Sequence, residues 1–244
     1  MSQTIGSNDR DGTAHLHYPR PEYVRCRAPV NRSAPPRADS PTEKAVDASV
    51  HLLGLLGVWA ALRGLFAKLD PQVTTDQRLA LVAYGLGLIG TLIMSAPYNL
   101  SRSGPWKGVL RRCDRAMIFV MIAGSYTPFV LTAFAPDTGR ALCVAVWTLA
   151  ALGATLCLAW RRLSDRLLIG SYLCMGWLVL AILPPLMAAV SATALVLLLA
   201  GGLVYSLGVI VHTRVRVAFH NAAWHGMVVT AAALHLAAVA LVLP

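Results

Sequence analysis

Beyond residue 42 the chain is a succession of long apolar runs divided by short polar breaks. The runs cover about residues 45–66, 79–98, 115–135, 141–160, 167–183, 186–211 and 222–243. Each matches the length a helix needs to cross a hydrocarbon core, roughly 17–25 residues. The fifth run is the shortest and ends at Pro184-Pro185, which reads as the loop dividing it from the sixth. A six-span count would need one continuous helix through that proline pair, so seven is the better count. The fold class expected is all-α integral membrane, a seven-transmembrane helix bundle over residues 42–244. Residues 1–41 are polar and rich in Arg and Pro. They lack the apolar surface to offset ordering entropy and are expected to form a disordered basic cytoplasmic tail.

Composition supports this reading. The chain of 244 residues is 57% hydrophobic and 13% charged, whereas a soluble domain carries about twice that charged fraction. A formal charge of +10 raises nucleic acid as a partner. The basic residues sit at run ends and in the tail rather than on a compact basic domain, which excludes that class. They are also one-sided: with the N-terminus inside, 17 Lys and Arg fall on the cytoplasmic side and 4 on the other. The positive-inside rule therefore places the N-terminus in the cytoplasm and the C-terminus outside. Arg outnumbers Lys 18 to 3 and Ala is abundant, a bias that suits a GC-rich bacterial genome, so a multi-pass protein of the bacterial plasma (inner) membrane is expected. Cys26, Cys113, Cys143, Cys157 and Cys174 show no CxxC spacing and read as reduced core residues. The first forty residues contain no apolar signal-peptide core.

Ionisable groups at membrane depth are costly and default to functional hypotheses. In the alternating frame, Ser95 and Asn99 end the second span, Asp114 opens the third, and Asn221 and His225 open the seventh. All five therefore share one depth near the cytoplasmic side. Ser95 with Asn99, and Asn221 with His225, are i,i+4 pairs that each share a helix face. Such a cluster serves equally as an interhelical hydrogen-bond node. His51 and His235, taken singly, read as satisfied core histidines. Glu43, Asp47 and His51 repeat at i,i+4,i+8, either as a solvated helix start or as support behind the cluster. Gly201, Gly202 and Gly208 read as close-packing positions. No GxSxG, Walker loop or HExxH is present. A triad of Ser95, His225 and Asp114 has nothing to place the imidazole between the other two.

Four ordered segments resemble the hemolysin III family, the bacterial branch of the progestin and adipoQ receptors. They are Glu43-x3-Asp47-x3-His51-x2-Gly54, then Leu110 to Ile118 continuing through Ile122-Ala-Gly-Ser-Tyr-Thr-Pro-Phe129, then Gly201-Gly-Leu-Val-Tyr205-x2-Gly208, and Asn221-Ala-Ala-Trp224-His225 followed by His235. The resemblance implies zinc, held by one His of the second span and two of the seventh, with a Ser and an Asp supporting the site or its water. Carried over, Ser95, Asp114 and His225 are kept, while Asn99 and Asn221 stand at the other two ligand positions. Carboxamide oxygen is a poor zinc donor, so loss of two imidazoles argues against tight binding. His220 is the available surrogate, although i,i+5 sets it about 140° around the helix from His225.

Three functions follow. The favoured one is a lipid-sensing or membrane-homeostasis role with a degenerate metal site and membrane lipids as partners. The second is a zinc-dependent hydrolase of lipid amides or esters, in which Ser95 and Asp114 are the catalytic candidates and His225 holds the metal. The third is a pore-forming hemolysin. It is disfavoured because seven apolar helices would be retained in the producing cell.

Overall fold

The structure, a computed structural model, describes residues 40–101, 104–160, 163–214 and 217–243. Of the expected disordered tail, residues 1–39 lie outside the described residues, while Ser40 and Pro41 are the cap and first residue of α1. Among the described residues there are only helices: α1 (Pro41–Lys68), α2 (Thr75–Leu100), α3 (Lys107–Ala133), α4 (Pro136–Ala159), α5 (Asp165–Trp177), a 3₁₀ segment (Leu178–Ile182), α6 (Leu183–Ala189), α7 (Ala192–Arg214) and α8 (His220–Val242). Seven segments are long and apolar enough to cross a membrane, with α5, the 3₁₀ turn and α6 together forming the fifth, Asp165–Ala189.

That fifth segment corrects the reading of the proline pair. Pro184 and Pro185 are not a loop; they lie inside the span, and the sixth span starts later, at Ala192. Proline lacks an N–H and clashes with the carbonyl four residues back, so a proline pair strains a continuous α-helix, although the single prolines Pro97 and Pro128 are accommodated within α2 and α3. The chain tightens into 3₁₀ geometry first, which places the prolines in the first turn of a new helix, where the missing donor costs nothing.

The helix ends follow from local chemistry. Ser40 and Glu43 form a capping box at α1: Ser40 N–H donates to Glu43 Oε2 (2.8 Å) and Glu43 N–H to Ser40 Oγ (3.2 Å), with Pro41 just inside. Thr74 and Gln77 do the same for α2. Phe219, ahead of α8, has φ 61°, the one non-glycine positive φ among the described residues. Its backbone N–H donates to Glu43 Oε1 (3.0 Å), which ties the start of α8 to the start of α1.

The first helix shows why the bundle needs a lipid surround. Its buried positions are Glu43, Asp47, His51, Gly54, Val58 and Leu62. Its outward face carries Leu52, Leu53 and Leu56, between 55 and 68% exposed. A water-soluble helix has the reverse arrangement. Here the polar stripe is satisfied within the bundle and the leucines face hydrocarbon.

Two apolar cores flank α3. One joins α1, α2 and α8 through Val58, Leu62, Leu81, Leu88 and Val239. The other joins α3, α4 and α5 through Phe119, Val146, Ala150 and Leu168. Gly87 and Gly124 let α2 and α3 approach backbone to backbone. A Cβ on Gly87 would stand 3.1 Å from the Met121 Cα, and one on Gly124 would stand 3.0 Å from the Ala83 carbonyl oxygen. Because successive spans run antiparallel, the starts of α1, α3, α5 and α8 and the ends of α2, α4 and α7 share one end of the bundle.

Candidate functional site

That shared end holds the polar residues that the sequence set at one depth, and it adds two more from α1. Ser95 on α2 sits between two imidazoles, with its Oγ 3.2 Å from His51 Nε2 and 3.4 Å from His225 Nε2. The two rings meet edge to face, with centroids 4.2 Å apart. Behind them, Asp47 Oδ1 lies 2.6 Å from His225 Nδ1, and the Asp47 backbone carbonyl lies 2.9 Å from His51 Nδ1. Asp47, His51, Ser95 and His225 are all buried, each 7% exposed or less.

These contacts assign the tautomers. A carbonyl oxygen only accepts, so His51 carries its proton on Nδ1. The carboxylate beside His225 assigns its proton to Nδ1 as well. Both Nε2 lone pairs therefore face Ser95. Asn99 completes the group: its carboxamide nitrogen donates to the Ser95 carbonyl (2.9 Å) and Oγ (3.1 Å) and lies 3.4 Å from His225 Nε2. The contacts to the two Nε2 atoms are at the long end of the hydrogen-bond range, so neither lone pair is tightly held.

The group closes one end of a cavity of about 660 Å³ walled by α2, α3, α5, α7 and α8. Asp114 and Asn221 open onto this cavity too. Asp114 interacts electrostatically with His225, Ser95 and Arg115. Further along, the walls become apolar through Leu88, Leu92, Ile118, Met121 and Phe129. His235, read in isolation as a core histidine, also lines the cavity. Its Nε2–H donates to the Leu198 carbonyl (3.0 Å) and its ring meets Tyr205 edge-on.

The structure thus brings Ser95, Asn99 and His225 into contact, with Asp114 and Asn221 on the same cavity wall. His220 begins α8 and interacts with His212. Among the described residues, the close group of possible metal ligands is instead Asp47, His51 and His225, whose ligand atoms lie within 4.8 Å of one another. Asp47 and His51 had been legible as part of a polar stripe at i,i+4,i+8, either solvated or supporting the cluster from behind. Its persistence on the first turns of an otherwise apolar span was the signal that it faces inward.

Zinc, the metal the resemblance implies, can be tested against these donors. Ligands around tetrahedral zinc at about 2.0–2.1 Å stand roughly 3.3 Å from one another. At 2.6 Å, Asp47 Oδ1 and His225 Nδ1 share a proton and cannot share a metal. That leaves two imidazole Nε2 donors. Asn99 turns its N–H donors, not a lone pair, toward them. Two imidazoles fall short of the three that the resemblance implies, and the further acid on the cavity wall, Asp114, offers carboxylate oxygen rather than imidazole. The residues present do not fit the three-imidazole site.

Seven membrane-crossing helices around a buried Ser–His–Asn–Asp node define a polytopic membrane protein with an intramembrane cavity. Residues 40–236 match the family described as Haemolysin-III related, and the chain belongs to it. It is similar to the "Hemolysin-3 homolog" of Bacillus subtilis (strain 168), 30% identical over 186 residues, covering 76% of this chain and 87% of that one. It also resembles "Hemolysin-3" of Bacillus cereus, 28% identical over 192 residues, with 79% and 88% covered. A third relative is the "Monocyte to macrophage differentiation factor" of Homo sapiens, 28% identical over 165 residues, with 64% and 67% covered.

Proposed function

We propose that this protein holds a single acyl-chain amphiphile in the cavity, with its head at the Ser95–His225 node, and serves membrane homeostasis as a lipid-sensing protein. The carrying observation is the cavity itself. Its volume of about 660 Å³ falls within the roughly 300–1,000 Å³ of small-molecule sites. It is polar at one end and apolar along its length, the same division that an amphiphile carries. The inner membrane of a bacterium, with the N-terminus cytoplasmic, is the setting that the Lys and Arg distribution supports. Asn99 in the node and Asn221 on the cavity wall keep the polarity of the imidazoles that the resemblance implies and lack their metal affinity.

The test is lipid content. Detergent-purified protein, extracted with organic solvent and analysed by mass spectrometry, should release an acyl amphiphile in near-stoichiometric amount. Val228→Trp, which fills the cavity from α8, should lose it. Protein that carries no amphiphile, or a Trp variant that keeps it, would sink the reading.

The zinc-hydrolase alternative draws on the grouping of Asp47, His51 and His225, but Asn99 and Asn221 stand at two of the three imidazole positions that the resemblance implies. The haemolytic activity named in the Bacillus cereus relative belongs to that protein.

A further inference from the structure

We infer that His235 and Tyr205 form a second polar station inside the cavity, which selects an acyl chain carrying a hydroxyl group part-way along its length. The inference rests on the lipid-binding reading above and names the class of amphiphile that the cavity takes.

One lone pair carries it. A neutral imidazole has one N–H and one lone pair. His235 Nε2 lies 3.0 Å from the Leu198 carbonyl, an oxygen that only accepts, so the proton is on Nε2 and the lone pair on Nδ1. Packing holds the ring that way round. Gly201 leaves α7 open to the ring edge formed by Cδ2 and Nε2, where a Cβ would collide with both atoms. Nδ1 is the vertex opposite that edge and points away from Gly201. Among the described residues it has no hydrogen-bond partner. Nor is it sealed, because the one sealed side-chain nitrogen or oxygen without a partner among those residues is Thr132 Oγ1. His235 lines the cavity, and that is the space onto which Nδ1 opens.

Tyr205 adds a donor. Its ring meets His235 with centroids 5.5 Å apart, and its hydroxyl rests on the Met121 sulfur at 3.7 Å. A thioether is a weak acceptor, so an oxygen brought into the cavity competes well for that proton. The other wall hydroxyls are already committed. Thr91, Ser125 and Ser206 each donate to a backbone carbonyl of their own helix at 2.7–2.8 Å.

An ionisable side chain at membrane depth is costly, and a single bond to a helix carbonyl is a small return. That bond joins α7 to α8 through Nε2 alone. Helix joining gives no role to a second lone pair turned toward the cavity, and a leucine would fill the position without the cost.

The station's chemistry defines the ligand. Nδ1 needs a donor and Tyr205 offers one; a hydroxyl answers both. A keto group answers Tyr205 alone, and a methylene answers neither. The position of the hydroxyl follows from α8. His235 comes ten residues after His225 on this helix, which is about 15 Å along its axis. Leu92, Ile118 and Val228 line the interval with apolar side chains. The chain selected therefore has its head at the node, then an apolar stretch, then a hydroxyl.

The experiment offers the detergent-purified protein an equimolar mixture of three monoacylglycerols in mixed micelles, with stearoyl, 12-hydroxystearoyl and 12-oxostearoyl chains. In an extended chain a substituent at this carbon stands about as far from the ester as His235 does from His225. Lipid retained after gel filtration is extracted and quantified by mass spectrometry. Protein-free micelles and Val228→Trp give the unselective background. The hydroxy chain should be enriched about 3–10-fold over stearoyl, with the oxo chain well below it. His235→Leu, which has no lone pair, should bring the hydroxy chain to parity with stearoyl while the total lipid retained stays the same. If that variant does not fold, the ranking by the unaltered protein still decides, because only the hydroxy chain can donate to Nδ1. Equal retention of the three chains, or an oxo chain enriched as much as the hydroxy chain, overturns the inference and leaves the lipid-binding reading standing. Retention no higher than in Val228→Trp for every chain overturns both. A hydroxy preference that survives in His235→Leu overturns the assignment to the imidazole.

Discussion

Gly201 on α7 lies under the imidazole of His235 on α8, and the geometry gives a prediction with a sign change. A Cβ at position 201 would stand 2.2 Å from His235 Cδ2 and 2.5 Å from Nε2, with the Ala231 carbonyl oxygen at 3.2 Å. No real Cβ tolerates the first two distances, so in Gly201→Ala the ring must swing away. That breaks its 3.0 Å bond to the Leu198 carbonyl. Overpacking of this kind costs about 1–3 kcal/mol. The lost hydrogen bond adds about 0.6 kcal/mol, the average for membrane proteins. Alanine returns about 0.8–1 kcal/mol through helix propensity, leaving a net loss of roughly 0.6–2.8 kcal/mol. In a His235→Ala background the ring is gone while the propensity gain remains, so Gly201→Ala should be neutral or mildly stabilising. A double-mutant cycle by reversible unfolding in mixed micelles measures both. Equal costs in the two backgrounds would refute the account, because the clash with the ring would then not be the source of the loss.

Two further predictions follow from the site's surroundings. Glu43→Ala removes half of the α1 capping box and the acceptor for the Phe219 N–H; it should lower stability by about 1–2 kcal/mol. Glu43→Gln should recover most of this, and an unaltered melting curve for the alanine variant would contradict the tie between α1 and α8. Asn99→His supplies a third imidazole beside His51 and His225, and elemental mass spectrometry should show zinc rising from sub-stoichiometric toward one per chain. Stoichiometric zinc already present in the unaltered protein, and lost in His225→Ala, would instead show that the donors present suffice.

The span count was legible in the chain because bilayer thickness sets the length of each apolar run, and seven such runs admit few other arrangements. The common depth of Ser95, Asp114 and His225 was legible too, because alternation puts the end of one span beside the start of the next. The path through Pro184 and Pro185 was not. A proline pair strains a continued α-helix, but it does not say whether the chain turns away or tightens for one 3₁₀ turn and restarts. In the tertiary structure the chain tightens and restarts, with α6 packed against α3. The partner of His225 was beyond local pattern altogether. Asp47 is 178 residues away, and only the placement of α1 beside α8 puts its carboxylate behind the ring. Periodicity could mark Glu43, Asp47 and His51 as one face of a helix. Which neighbour that face meets depends on how all the helices share the interior, and that is a property of the assembled bundle.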